Sequence, residues 1–495
     1  MALTQNLSDS VGSESARRRC TAIRDSLIRA GLFTPPLKEA ATEEGSTGRA
    51  ARWRISPVPF HLSAEQVRFF HALGPDLLAF YRALNRLYIE SARGMLPAWA
   101  AGYLDQGKPD SLVTFARMNR FRQALPAVIR PDVLPTSTGM VITELDSVPG
   151  GIGLTACLAQ AYADLDGEAG RLIGGRDGMI QGFAAMLRAA RGKHAGCVAI
   201  IVSEEASDYR PEMRWLAGRL TGIGLDTYCV EPRDIRFTEE GLSLFVDGRD
   251  RPVGLVYRFF ELFDLMNIPK AELVMYATKK ARVAVTPPYK PALEEKLAFG
   301  LFHHPALHDF WRRELGDPVQ SRLARVMPRT WILDPQPVPP TAVIPDLVIN
   351  GQPISEYRQL GTASQKERRW VVKPSGFSEL AWGSRGVVIG HDVAQTEWSA
   401  ALQQALAAFP ATPHVLQEFH KGRLFDCAYA DETDRVVPMS GRARLSPYYF
   451  VAGDKIELGG ILATVCSAEK KIIHGMEDAI MAPCSEVGTD TARLD

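Results

Sequence analysis

Three carboxylates and an arginine stand at spacings that suit metal and phosphate chemistry. Arg130-Pro-Asp132 is followed by an apolar run, a turn-forming stretch (Pro135-Thr-Ser-Thr-Gly139) and then Met140-Val-Ile-Thr-Glu144-Leu-Asp146. Residues two apart on a strand face the same side. Arg130 and Asp132 therefore share one strand face, as do Glu144 and Asp146. If the two runs pair as a hairpin, Asp132 falls near the other two carboxylates. Hard oxygen donors gathered in this way suit Mg²⁺, which keeps several waters and bridges to phosphate oxygens. The same acidic alternation also suits a strand face turned to solvent, so the choice rests on the rest of the chain. Ser147 and Gly150-Gly151 follow directly and can place backbone donors near a substrate.

A second set lies far downstream. Trp370-Val-Val-Lys373-Pro374 is a short apolar strand ending in a lysine, and the loop after it carries Gly376, Gly383 and Gly386. A flexible Gly-rich turn can bring N–H groups against phosphate oxygens, with the lysine as a point charge for the same anion. A plain β-hairpin with a surface lysine fits these residues too. The next strand, His414-Val-Leu-Gln417-Glu418, ends in two polar residues that can read an adenine edge and ribose hydroxyls at a hinge. A further strand, 254–260, carries Arg258, which is either a carboxylate clamp or half of a structural ion pair.

The elements that must hold these groups follow from periodicity. A helix is expected over 15–32, then a polar linker at 41–50. Residues 63–126 read as helical, with Ser63 and Gln66 forming a capping box. After the carboxylate strands, a helix is expected over 154–165. Cys197-Val-Ala-Ile-Ile-Val202, a helix over 211–221 and a strand over 226–230 imply a parallel pair with a crossover. Helix returns over 289–316. From 370 the chain is mostly strand and turn, with one helix over 396–408.

Composition excludes several classes. The chain has 495 residues, too many for one simple core. It is 46% hydrophobic and 23% charged, the profile of a folded globular protein. The 57 basic and 57 acidic side chains cancel, so nothing favours nucleic acid or an anionic membrane as partner. No apolar run is long enough to cross a bilayer, and the first residues lack a signal-peptide core. Seven widely spaced cysteines without a C-x-x-C pair fit reduced thiols and a cytoplasmic protein. His303, His304 and His308 form no metal-ligand pattern.

The order of parts, a Lys-Pro strand, a Gly loop, a helix and a strand ending in Gln-Glu, resembles the ATP-grasp fold. The carboxylates precede the lysine strand by more than two hundred residues. That arrangement resembles the circularly permuted ATP-grasp group, of which the glutathionylspermidine synthetase family is the best-known member. That family has Arg-x-Asp and then Glu-x-Asn, with the Asp and Glu twelve apart; here Arg130, Asp132 and Glu144 keep the spacing and Asp146 replaces the Asn. The resemblance covers roughly 125–160 and 255–485. It implies an α/β (α+β) ATP-grasp-like fold, circularly permuted, with a helical N-terminal region and a Rossmann-like α/β subdomain. The implied divisions are 1–125 helical, 126–190 magnesium-binding, 191–285 α/β substrate subdomain and 286–495 for the lysine, Gly-loop and hinge part.

The resemblance also implies ATP and Mg²⁺ as cofactors and a small-molecule acid and amine as substrates. It implies a carboxylate–amine ligase working through an acyl phosphate. Asp132, Glu144 and Asp146 would hold the metal, and Lys296, before Leu297, would be the first ATP lysine. Lys373, Gly376, Gly383, Gly386, Gln417 and Glu418 would complete the nucleotide site. Arg130 and Arg258 would hold the acyl phosphate or a substrate carboxylate. The family's late arginine has no match in the segment 459–466, and Arg442 or Arg444 stands nearby in its place. A nucleotide-binding pseudo-ligase and an ATP-grasp phosphotransferase are the alternatives. The oligomeric state is open.

Overall fold

The computed structural model describes residues 13–33, 52–165, 168, 170–339, 341–470, 472–473 and 477–487. The polar linker expected at 41–50 lies outside them. Two sheets from distant parts of the chain face each other, and a third, mostly parallel sheet packs beside them.

The largest sheet has eight strands among the described residues. Its centre is the long antiparallel pair Val436–Ala452 and Lys455–Ser467. One edge is the hairpin Val128–Pro135 and Met140–Asp146. The other edge is Glu477–Glu486, to which the short strands Arg52–Arg54 and Phe60–Leu62 add. Residues 424–486 thus join the hairpin, and the stretch 286–495 does not stay together as one unit. The reason is hydrogen bonding: the hairpin alone has an open edge, and Val436–Ala452 supplies the partner.

Both faces of this sheet are covered. Ile129, Val133, Leu445 and Tyr449 point to one side and pack on helix Ala64–Ala92. That helix begins with the expected capping box, Gln66 N–H donating to Ser63 Oγ (3.3 Å) and Ser63 N–H to Gln66 Oε1 (2.9 Å). On the other side, Val128, Tyr448, Phe450 and Leu462 pack against helices Ile152–Ala163 and Gly178–Arg191. Farther along that same face the side chains turn polar, and the candidate site lies there.

The second sheet has the order Thr330–Ile332, His414–Glu418, Trp370–Pro374, Val388–Ile389, all antiparallel. Helix Gln395–Ala408 covers one face through Trp398, Leu402 and Leu406 against Val372 and Leu416. Lys373 and Gln417 lie on the opposite face, by strand alternation.

The third sheet contains the expected parallel pair, Cys197–Val202 with Thr227–Val230, joined by helix Arg210–Gly222. Arg249–Phe259 adds in parallel on the other side. The helix expected over 289–316 is broken into Leu297–His303 and His308–Val326, with one-turn segments Pro291–Leu293 and Pro305–Leu307 between. Proline at 291 and at 305 lacks the N–H to continue a helix and favours a fresh first turn. Among the described residues no helix is long and apolar enough to cross a membrane.

Candidate active site

The hairpin register pairs Arg130 with Asp146 and Asp132 with Glu144, with a bulge just after Asp132. All four side chains fall on one face. The neighbouring strand Val436–Ala452 runs alongside, with Leu445 opposite Val133 and Tyr449 opposite Ile129. Its even-numbered residues therefore share the face of Arg130 and Asp132.

Contacts follow from that register. Ser446 Oγ donates to Asp132 Oδ1 at 3.0 Å, and Arg444 Nη1 lies 3.1 Å from Asp132 Oδ2. Arg130 Nη2 donates to Asp146 Oδ2 at 2.9 Å and lies 3.5 Å from Asp132 Oδ1. The second sheet and the helix start at Leu297 close the cleft from the other side. Lys296 Nζ lies 2.8 Å from Glu144 Oε1. Lys373 Nζ donates to Thr143 O (3.1 Å) and to Gln417 Oε1 (2.8 Å). Arg130, Asp132, Glu144, Asp146, Lys296, Lys373 and Gln417 thus border one cleft.

The charges are shifted as this geometry requires. Burial opposes ionisation of Asp132, but Arg130, Arg444 and the Ser446 hydroxyl outweigh it and hold the carboxyl below its ordinary range. Asp146 is raised by burial despite Arg130. Burial works against the Lys296 ammonium, yet the Glu144 carboxylate prevails and raises it. Lys373 is brought down from 10.5 to about 8 by burial, with Glu144 only partly opposing.

Among the described residues no group of three or more His, Cys, Asp or Glu side chains converges on a metal position. Cations stand between the three carboxylates: Arg130 separates Asp132 from Asp146, and Lys296 holds Glu144. The donor set still fits Mg²⁺. It is all hard oxygen, and Asp132 and Glu144 sit directly opposite each other across the hairpin.

Arg258 departs from the clamp expected of it. Its side chain is fully buried, donating to Pro287 O and Pro288 O (each 3.4 Å) and pairing with Phe260 O and Glu294. A guanidinium so enclosed serves a structural ion pair. The glycine loop departs as well. A Cβ on Gly376 would lie 1.8 Å from Glu294 O, so this glycine serves a close backbone contact. The Gly386 N–H already donates to Leu380 O at 3.0 Å. Gly383 lies in the one-turn segment Glu379–Ser384, whose Ala381 O is 3.5 Å from Lys296 Nζ. Gln417 is buried and bridges Lys373 to Thr330 Oγ1 (3.1 Å). Glu418 ends its strand with its N–H on Arg329 O, and its carboxylate is 3.8 Å from His420 Nε2.

Several residues of the site escaped the sequence reading. Arg444 occupies the position beside Asp132, directly opposite Thr464, while Arg442 is spent on Gly422 O and Ala468 O. The signal was the period-two run Arg442-Ala-Arg444-Leu-Ser446-Pro-Tyr448. Lys108, from the helical N-terminal region, forms a wholly buried ion pair with Glu295. Consecutive residues 294, 295 and 296 therefore pair with Arg258, Lys108 and Glu144. Glu261 is half-buried, and its carboxyl is raised well above the usual range by burial and by the charge of Glu294. Among the described residues it makes no ion pair or hydrogen bond.

No family model matches the sequence, and no curated protein matches it either. Solved structures do. A glutathione synthetase-like effector from Globodera pallida, in its apo form, superposes with a TM-score of 0.55 at 11% identity, over 96% of this chain and 98% of that one. A Methylobacillus flagellatus KT protein with a provisional gamma-glutamylcysteine synthetase name gives 0.40 at 10% identity, over 86% and 89%. The second overlap is too loose to add to the first. The fold is α+β and ATP-grasp-like.

Two outcomes follow. The Lys373 ammonium persists below about pH 8 and is lost above it, so calorimetric affinity for ATP should fall as pH rises from 7 to 9. In Lys373→Met affinity should be weaker and flat over that range. Lys108→Met strands the buried Glu295 carboxylate and should cost about 3–5 kcal/mol in urea unfolding, much of it regained in the Lys108→Met/Glu295→Met double variant.

Proposed function

We propose that the chain is an ATP-dependent carboxylate–amine ligase that forms an amide or peptide bond through an acyl phosphate. One observation carries the reading: the acidic hairpin at 130–146 and the lysines at 296 and 373 meet across a single cleft. The hairpin precedes the lysines in the chain, an order that fits a circularly permuted ATP-grasp arrangement.

Charge bookkeeping supports a nucleotide there. Asp132 pairs with Arg444 and Arg130, Asp146 with Arg130, and Glu144 with Lys296. Glu294 pairs with Arg258 and Glu295 with Lys108. Two charges are left without an opposite partner in contact, the Lys373 ammonium and the Glu261 carboxylate. An ammonium bonded only to neutral oxygens is ready for phosphate. A carboxylate with a raised pKa suits the attacking amine, which must lose a proton.

In the reaction, a substrate carboxylate oxygen attacks the γ-phosphorus and ADP leaves. The amine nitrogen then attacks the acyl carbon, phosphate leaves, and the proton goes to Glu261. Lys296, Lys373 and Arg444 balance charge on the transferring group. Mg²⁺, held by Asp132, Glu144 and Asp146, supplies the remaining neutralisation on the phosphates. The segment 376–386 lies over Lys296 and keeps water from the acyl phosphate. Arg130 orients Asp146.

The test is a screen of small peptides and amino acids as acids, with amino acids and polyamines as amines, read by coupled ADP release. Release should need both an acid and an amine. Asp132→Asn and Glu144→Gln should each lower turnover by about 10²–10³-fold with unchanged unfolding midpoints. Normal turnover in both variants would remove the reading. ATP binding without turnover would select a pseudo-ligase, and a stable phosphorylated product a phosphotransferase.

A further inference from the structure

Helix Ile152–Ala163 begins a few residues after Asp146, and its first turn lacks a cap of its own. The N-cap position is Gly151, with φ +86° and no side chain to accept a hydrogen bond. Glycine is required there. The backbone is left-handed, and a Cβ would lie 2.6 Å from the Tyr448 hydroxyl. The orphan amides of the first turn must find an acceptor elsewhere.

Glu212 supplies it from another helix. It lies in the first turn of Arg210–Gly222, in the α/β unit, yet its carboxylate reaches across. Oε1 accepts from Gly151 N–H at 2.7 Å and Oε2 from Leu154 N–H at 2.8 Å. The two helices touch closely enough that a Cβ on Gly153 would lie 2.5 Å from Glu212 O. The side chain is only 6% exposed, and burial raises its carboxyl from 4.5 to about 7. A carboxylate so hard to ionise is a costly cap.

The turn it secures ends at the other side on Asp146. Val148 N–H donates to Asp146 Oδ1 at 2.8 Å, Arg130 holds Oδ2 at 2.9 Å, and the Tyr448 hydroxyl donates to Gly150 O at 2.8 Å. One carboxylate oxygen of Asp146 is thus fixed by the sheet and the other by the turn. The turn in turn is fixed by Tyr448 and Glu212. We propose that Glu212 is a positioning residue that orients Asp146 for magnesium through the 147–151 turn, and so ties the α/β unit to the metal side of the cleft. This rests on the ligase reading above.

The experiment compares full-length wild type with Glu212→Gln, Glu212→Asp and Tyr448→Phe at pH 8, where Glu212 is ionised. ATP binding is measured by calorimetry with Mg²⁺ and with EDTA, and hydrogen exchange is followed over 147–154. Glu212→Gln should weaken MgATP binding about tenfold or more while metal-free ATP binding changes less than twofold. Glu212→Asp should regain part of the loss. Tyr448→Phe, which removes only the bond to Gly150 O, should show the same magnesium-specific loss. If exchange at Gly151 and Leu154 quickens in Glu212→Gln but the gain from Mg²⁺ is intact, the cap is structural only and the proposal falls. An unchanged gain in Tyr448→Phe overturns it as well. Wild type that binds no ATP at millimolar concentration, with or without Mg²⁺, defeats the ligase reading itself.

Discussion

A water-poor cleft can hold six carboxylates and six cations only if the signs alternate in space, and the hairpin register is what makes them alternate. The carboxylates are Asp132, Glu144, Asp146, Glu261, Glu294 and Glu295; the cations are Lys108, Arg130, Arg258, Lys296, Lys373 and Arg444. Arg130 opposite Asp146 and Asp132 opposite Glu144 set the pattern. A slip of one residue would turn all four away from the lysines and put Ile129, Val133 and Ile142 in their place. The core prevents that slip, because these apolar residues are fully buried against helix Ala64–Ala92.

Such pairs are poor sources of stability. Removing ions from water costs several kcal/mol each, and their mutual attraction only offsets it. They persist where a fixed field is useful. With its charges nearly all paired, the cleft presents little net attraction for a bare triphosphate. Entry of the anion with a divalent cation solves this: the metal takes over carboxylates, and the lysines and arginines become available to phosphate. Lys296 on Glu144 and Arg444 on Asp132 are placed for such an exchange.

The glycines and arginines show how a shared residue type hides different work. Gly376 admits the backbone of Glu294, Gly386 closes a turn within its own loop, and Gly151 makes room for Tyr448. Arg258 is sealed by carbonyls and Glu294, while Arg444, two strands away from the hairpin's outer edge, stands beside Asp132. Each choice reflects what the neighbouring segment brings, and none is written in the residue's own local pattern.

Period-two alternation, apolar runs and spacing therefore determined much by themselves. They set the hairpin with its acidic face, the Ser63 cap, the parallel pair at 197–230, the strand ending in Lys373 and Gln417, and the kind of fold. These are legible because a strand or helix imposes its periodicity on adjacent residues whatever surrounds it. Tertiary structure decided the rest. It split 286–495 between two sheets, buried Arg258 and set Lys108 against Glu295. It chose Arg444 over Arg442 and brought Glu212 to the turn after Asp146. Those outcomes depend on which unpaired edge, orphan amide or buried charge meets which partner across tens or hundreds of residues, and pairing through space leaves no period in the chain.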